Sequence, residues 1–388
     1  MRILFLFSRP ITLPINLREY HVSRALRELK HEPVWLSTNG PFQQKHYADE
    51  FPLLAMKPIK PRRGAILVFL GRLVREITHI APDVVWVPGW YSRSPLELIA
   101  IFATIRAMGR RIVYDPIDPI FEYEEALHAT DNGSFSSRRR LAVLKAIYMM
   151  AHRLFVVTEG FRGLMVEAGV SHEKLRVAYW GTDASRFPSS VDPAIAKRRF
   201  DVDGRFVVGW IGSFTRFKGL ESILLPAAKI LEKEGVPVLF LLAGTPEIEE
   251  IVLRHRKEGG DSVRYLGGIP YEDAPLLTRA FDLYIVPTDP RHRFTQAICP
   301  VKVFDALVSG IPVVATRTAA MEHISGNFPS IVFSGFTPEE FARHISTIWN
   351  TPERFREAAC RDTPKAMAYT HQAISELMAR EIALLPLK

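Results

Sequence analysis

Residues 206–219 read Phe206-Val-Val-Gly-Trp-Ile-Gly-Ser-Phe-Thr-Arg-Phe-Lys-Gly219. The opening run is apolar without alternation, as in a parallel strand covered on both faces. It stops at Gly212, where the backbone can approach a ligand closely, and a helical pattern follows Gly219. Between these lies Ser213, and backbone N–H groups stand beside Arg216 and Lys218 at a helix start, which suits a phosphate or diphosphate. An ordinary βα turn with two solvated cations is the alternative. Strand, glycine loop and helix in this order open a doubly wound α/β unit. The pattern recurs: residues 238–243, 263–266, 283–286 and 311–315 are strand-like, with helical stretches between them.

Working outward, the first half repeats the theme. Residues 3–7, 33–36, 84–87, 112–114 and 154–157 are short apolar, β-rich runs. Over residues 16–30, Leu17, Tyr20, Val22, Leu26 and Leu29 roughly keep a helical period. The order is βαβ, so the expected fold class is α/β, with two Rossmann-like parallel-sheet domains facing a central cleft. Residues 181–193 (GTDASRFPSSVDP) are loop-forming and read as a linker. The expected domains are 1–180, a linker over 181–200, a second domain over 201–363 and a C-terminal helix in 364–388 that crosses back to the first.

The 388 residues exceed one ordinary core and suit two. Hydrophobic residues make up 47% and charged residues 24%, as in folded globular chains. Two cysteines, Cys299 and Cys360, make no disulfide framework, so a cytoplasmic setting is expected. The start, MRILFLFSRPITLP, reads as a buried strand rather than a signal peptide. No segment reaches the roughly 18–20 apolar residues of a membrane span. The net charge of +8 is unevenly placed: residues 1–180 hold 25 Lys+Arg against 17 Asp+Glu, and residues 181–388 hold 25 of each. A basic first half attracts anionic membranes, nucleic acid or anionic substrates, or serves solubility. No metal site is expected, because no His, Cys or carboxylate set has ligand spacing. No nucleic-acid module, Walker loop or nucleophile elbow appears.

A second segment reads Cys299-Pro-Val-Lys-Val-Phe-Asp-Ala-Leu-Val-Ser-Gly-Ile-Pro-Val-Val-Ala315. Pro300 suits a helix start and Gly310 a helix stop. Lys302 and Asp305 are three apart and share a face near that start. The helix dipole disfavours a cation there, which makes Lys302 a candidate anion ligand. A surface Lys302–Asp305 pair is the alternative.

These two segments and residues 177–187 (VAYWGTDASRF) resemble, in order and spacing, family 4 glycosyltransferases (group 1 glycosyltransferases) of the GT-B fold. The resemblance implies transfer of a sugar, with retention and no obligatory metal or cofactor, from a nucleotide-diphosphate-sugar donor in the C-terminal domain to an acceptor in the N-terminal one. It places Lys218 and Lys302 on the diphosphate, Asp305 on the ribose hydroxyls, and the backbone of Gly267, Gly268 and Ile269 at the base. The backbone of Val301 and Lys302 would lie near the donor sugar. Pro287 and Thr288 would line the cleft.

Departures accompany it. The family pairs two glutamates eight positions apart, where this chain has Ala297 and Asp305. Ser213 stands where Arg is common, and Arg216 is the substitute cation. The N-domain strand end that often carries His-Asp reads Asp115-Pro-Ile-Asp118, leaving Asp118 as the residue to orient an acceptor. The first loop, residues 8–14, lacks the usual Gly-Gly pair. The implied acceptor is a glycan or a lipid-linked molecule. Lys57, Lys60, Arg62, Arg63, Arg72 and Arg75 beside apolar residues 65–70, and Arg138-Arg139-Arg140 before another apolar run, suit peripheral contact with the inner face of an anionic membrane. Packing of those apolar faces on the N-domain sheet is the alternative. A UDP-sugar 2-epimerase and a non-catalytic sugar-nucleotide binder are the rival functions.

Overall fold

A computed structural model of the chain describes residues 1–7, 17–38, 40, 50–58, 64–89, 95–119, 135–187, 191–213, 215–257 and 262–386, without the side chains of 17, 95, 135–141 and 256. Loop 8–14, Lys60, Arg62 and Arg63, and the side chains of Arg138, Arg139 and Arg140, lie outside the described residues. The chain forms two compact units, one of residues 1–180 with 371–388 and one of residues 181–370.

The first unit contains β1 (Arg2–Phe7), α1 (Leu17–Glu28), β2 (Glu32–Ser37), β3 (Leu53–Ala55), α2 (Ala65–Ile80), β4 (Val84–Pro88), α3 (Pro95–Ala107), β5 (Arg111–Asp115), α4 (Phe135–Met150), β6 (Arg153–Val156), α5 (Glu159–Glu167) and β7 (Leu175–Val177). Its strands form one parallel sheet in the order β3-β2-β1-β4-β5-β6-β7. Ile3, Leu4, Phe5 and Leu6 are all fully buried, which explains the absence of alternation: both faces are covered. Register sets Phe5 beside Trp35 and Trp86. Ring centroids are 5.3 Å apart for Phe5–Trp86 and 5.6 Å for Trp86–Phe155, so aromatics line one face. Val22, Leu26, Ile374, Met378 and Ile382 complete that core.

In the second unit, α6 (Pro193–Arg199) precedes β8 (Phe206–Gly212), α7 (Leu225–Lys233), β9 (Val238–Gly244), α8 (Glu247–Lys257), β10 (Val263–Tyr265), α9 (Ala274–Arg279), β11 (Leu283–Val286), α10 (Val301–Val308), β12 (Val313–Thr316), α11 (Ala319–Ser325), β13 (Ile331–Ser334), α12 (Pro338–Asn350) and α13 (Pro352–Ala366). The parallel order is β10-β9-β8-β11-β12-β13. Both sheets thus reverse direction beside their first strand, and the carboxyl ends of strands at such a switch point are where ligands bind.

Three stretches depart from the sequence reading. The linker contains a helix, α6, capped by Asp192 and started by Pro193, a combination local chemistry favours. The last helix does not start at Pro364. That residue lies inside α13; a short 3₁₀ turn, Met367–Tyr369, follows, and α14 (His371–Ala383) begins afresh in the first unit, packed on α1. The helix after Gly219 begins as a π-turn, Leu220–Leu224, with the Leu224 N–H bonded to the Gly219 carbonyl. Pro226 lacks an N–H and its ring would strike the carbonyl four residues back, so a widened turn relieves both problems.

Candidate functional site

The loops at the carboxyl ends of β8 to β11 close on one another through glycine. A Cβ on Gly244 would lie 1.7 Å from the Gly212 carbonyl oxygen, and one on Gly219 (φ +66°) 2.0 Å from that of Pro287. Only a residue without a side chain permits these approaches. The Gly244 N–H donates to the Gly267 carbonyl at 3.0 Å and the Asp289 N–H to that of Phe217 at 2.7 Å, tying the loops after β9 and β10 and those after β8 and β11.

Lys218 sits on a 3₁₀ turn within this frame. Its Nζ donates to the Ser213 carbonyl at 3.1 Å and to Ser213 Oγ at 2.8 Å, so the ammonium is held over the end of β8. Arg216, Ser213 and Gly268 are exposed, and Gly212 and Ile269 half-buried. The Tyr284 hydroxyl is locked to the backbone of Ile211, and burial raises its pKa.

On α10, Val301 and Lys302 are half-buried and Asp305 is buried. Lys302 Nζ lies 2.9 Å from Asp305 Oδ2, and Asp305 Oδ1 accepts from the Thr182 hydroxyl at 2.5 Å. Both oxygens of the carboxylate that the resemblance assigns to ribose are therefore engaged within the chain. Ala297, at the family's first glutamate, is fully buried and donates its N–H to Phe294 O, so its side chain meets no solvent. His292 is half-buried, 3.7 Å from Asp289 and edge-on to the Phe217 ring. Among the described residues no group of three His, Cys, Asp or Glu is placed to hold a metal ion.

Asp118 belongs to the first unit, just past β5. Its N–H bonds the Pro116 carbonyl at 2.6 Å around Ile117, whose φ is +58°. A β-branched residue in a γ-turn of positive φ is strained. Asp115 is not an open carboxylate. It is fully buried and bonded by Arg18 at 2.7 and 3.2 Å, while the same guanidinium donates to the carbonyls of Ala178 and Tyr179. Beside this pair lies Glu19, fully buried, with no hydrogen-bond partner for either carboxyl oxygen among the described residues; burial first, then the Asp115 charge, pushes it up to about 8. His371 stacks on His21 with ring centroids 5.4 Å apart, and burial lowers it to about 3, helped by His21 and Arg18.

The sequence reading missed Thr182, although it lies within the quoted VAYWGTDASRF stretch, and missed the Arg186 guanidinium, which stacks 3.4 Å from the Tyr271 ring centre. It also missed Arg18 and Glu19. An Arg-Glu pair in the first turn of an amphipathic helix is an ordinary surface pattern, and nothing local marks it as buried.

This architecture is the GT-B class of α/β fold, and the comparisons agree. The family model "Glycosyl transferases group 1" matches residues 205–351, and "Glycosyl transferase 4-like domain" matches residues 16–181. Together they span most of both units, and the chain belongs to the group 1 glycosyltransferases. A D-inositol 3-phosphate glycosyltransferase of Corynebacterium jeikeium is 28% identical over 180 residues, 43% of this chain and 42% of that one. The chain thus matches less than half the length of that curated relative. Anabaena HepE in complex with UDP and glucose superposes with a TM-score of 0.74 at 19% identity, covering 99% and 100% of the two chains. Sucrose-phosphate synthase from Thermosynechococcus elongatus gives 0.75 at 16%, covering 99% of each. At these identities the structures speak for the fold alone.

Proposed function

We infer that the chain moves a sugar, with retention, from a nucleotide-diphosphate-sugar to a glycan or lipid-linked acceptor. The observation that carries this is the frame of glycines at the β8/β11 switch point, with the Lys218 ammonium fixed above it. Lys218, Arg216 and Lys302 neutralise the leaving diphosphate as the glycosidic bond breaks; fixed cations need no reorganisation at that moment. The acceptor proton passes to the departing phosphate, Asp118 orients the acceptor, and the backbone at Gly268, Ile269 and Val301 holds base and sugar. Solved neighbours carry UDP, which puts uridine first among the bases. A thermal-shift screen of UDP-, GDP-, ADP- and TDP-sugars tests the donor, since a ligand of the native state raises its melting temperature. A shift with none of them would sink the reading, and donor consumption that needs no acceptor would favour an epimerase.

The acceptor reading includes a membrane. On α2, Phe69, Leu73, Ile77 and Ile80 are buried, so that apolar stripe packs within its own unit. Leu67 and Val74 remain exposed near Arg72 and Arg75. No described helix is long and apolar enough to cross a membrane. Each basic side chain near an anionic surface adds about 1 kcal/mol, screened by salt. Co-sedimentation with phosphatidylglycerol vesicles is expected at low salt and little with neutral ones. Changing Arg62, Arg63, Arg72 and Arg75 to Gln should abolish it while donor binding survives. Equal binding to neutral vesicles would assign the charge elsewhere.

A further inference from the structure

Thr182 is 1% exposed, its hydroxyl donates to Asp305 Oδ1 at 2.5 Å, and its backbone N–H donates to the Tyr369 carbonyl at 3.0 Å. Thr182 and Thr370 form a parallel bridge, and the Tyr369 ring stacks on Phe304 at 4.7 Å. The chain passes between its two units just before Gly181 and just after Thr370. Both crossing segments are thus bonded to each other, and one is bonded to and the other stacked on α10, the helix that carries Lys302. We propose that Thr182 is a positioning residue: through Asp305 it fixes the Lys302 ammonium at the start of α10.

The chemistry follows from the pairing. A threonine hydroxyl has one proton to donate, and here a buried carboxylate takes it. That bond orients the carboxylate so that Oδ2 meets the ammonium 2.9 Å away. A lysine in the first turn of a helix gains nothing from the dipole, and its four-carbon stem has many rotamers. Asp305 supplies the attraction, and Thr182 supplies the direction. Aspartate, one methylene shorter than the glutamate usual here, suits a partner drawn from the linker side. The inference rests on the reading of Lys302 as a diphosphate ligand, and it replaces direct ribose contact by Asp305.

Calorimetric titration separates the possibilities. The probes are the nucleoside diphosphate selected in the thermal-shift screen (UDP, GDP, ADP or TDP) and its parent nucleoside. Thr182→Val keeps the shape and removes the hydroxyl; it is expected to weaken the diphosphate about tenfold, as for loss of one charge-assisted bond, and to leave the nucleoside within about twofold. Thr182→Ser should restore binding. Asp305→Asn should reproduce the pattern, and unchanged nucleoside binding reports that each variant is folded. In a Lys302→Ala background Thr182→Val should add nothing, because its effect runs through that ammonium. Equal weakening of nucleoside and diphosphate would overturn the proposal in favour of ribose contact, and so would full additivity with Lys302→Ala. A diphosphate affinity untouched by Lys302→Ala would remove the diphosphate reading itself, whereas an effect of Lys302→Ala without one of Thr182→Val would remove only the role of Thr182.

Discussion

Replacing Lys302 or Lys218 with alanine is expected to weaken nucleotide-sugar binding by about 10- to 100-fold each while leaving the melting temperature nearly unchanged. Hydrogen bonds to charged groups contribute about 1.5–3 kcal/mol, which converts to that range. The cost to the fold should be small for separate reasons. The Lys218 ammonium is bonded to Ser213, an exposed residue of the same loop. Lys302 opposes the dipole of its own helix, and its removal leaves Asp305 with the Thr182 hydroxyl as partner. Titration with the cognate donor checks the affinity, and a thermal scan checks the fold. Unchanged affinity in both variants would return the two lysines to the ordinary readings, a turn cation and a surface ion pair.

Stability should peak on a plateau between about pH 4.5 and 6.5 as far as the buried cluster of the first unit is concerned. Unfolded chains lose the Glu19 proton near its ordinary value of 4.5, whereas native chains keep it to about 8. Unfolding then releases a proton, so the Glu19 contribution is complete below 4.5 and is lost as pH rises to 8. His371 acts in the opposite sense. Unfolded chains take up its proton near 6.5 and native chains only near 3, so stability falls as pH drops across that window. Each window has a slope of about 1.4 kcal/mol per pH unit, and the two cancel where they overlap. Above 6.5 Glu19 acts alone and removes about 2 kcal/mol by pH 8. Arg18, Asp115 and His21 share the cluster and set the field in which both groups titrate. Urea unfolding across pH, in wild type and Glu19→Gln, reads the difference. The variant should lose the alkaline decline whatever its absolute stability, and an identical slope would mean that Glu19 is ionised in the native chain.

Much of the fold was legible because it depends on local pattern. Runs such as residues 3–7 and 206–211 lack alternation since both sheet faces are covered, and a chain can signal that without knowing its neighbours. Gly219 marked the end of the loop after β8, and Pro300 and Gly310 bracketed α10. Pattern failed where a local signal had two readings. Pro364 looked like a helix start but sits inside α13, and Pro226 gave no warning of the π-turn before it.

The amino-acid sequence by itself determined the two α/β units, the resemblance to a glycosyltransferase family and the basic character of the first half. Those properties follow from periodicity, composition and short motifs, which are read within a few residues. Only the tertiary structure decided which partners Asp305 and Asp115 take. Thr182 and Asp305 are 123 residues apart, and Arg18 and Asp115 are 97 apart. Arg18 in the first turn of α1 meets Asp115 at the end of β5, and Thr182 in the linker meets Asp305 on α10, only because the fold packs these distant segments together. A carboxylate in the sequence therefore has no assigned partner until that packing is known, and once buried it must take one or, like Glu19, keep its proton.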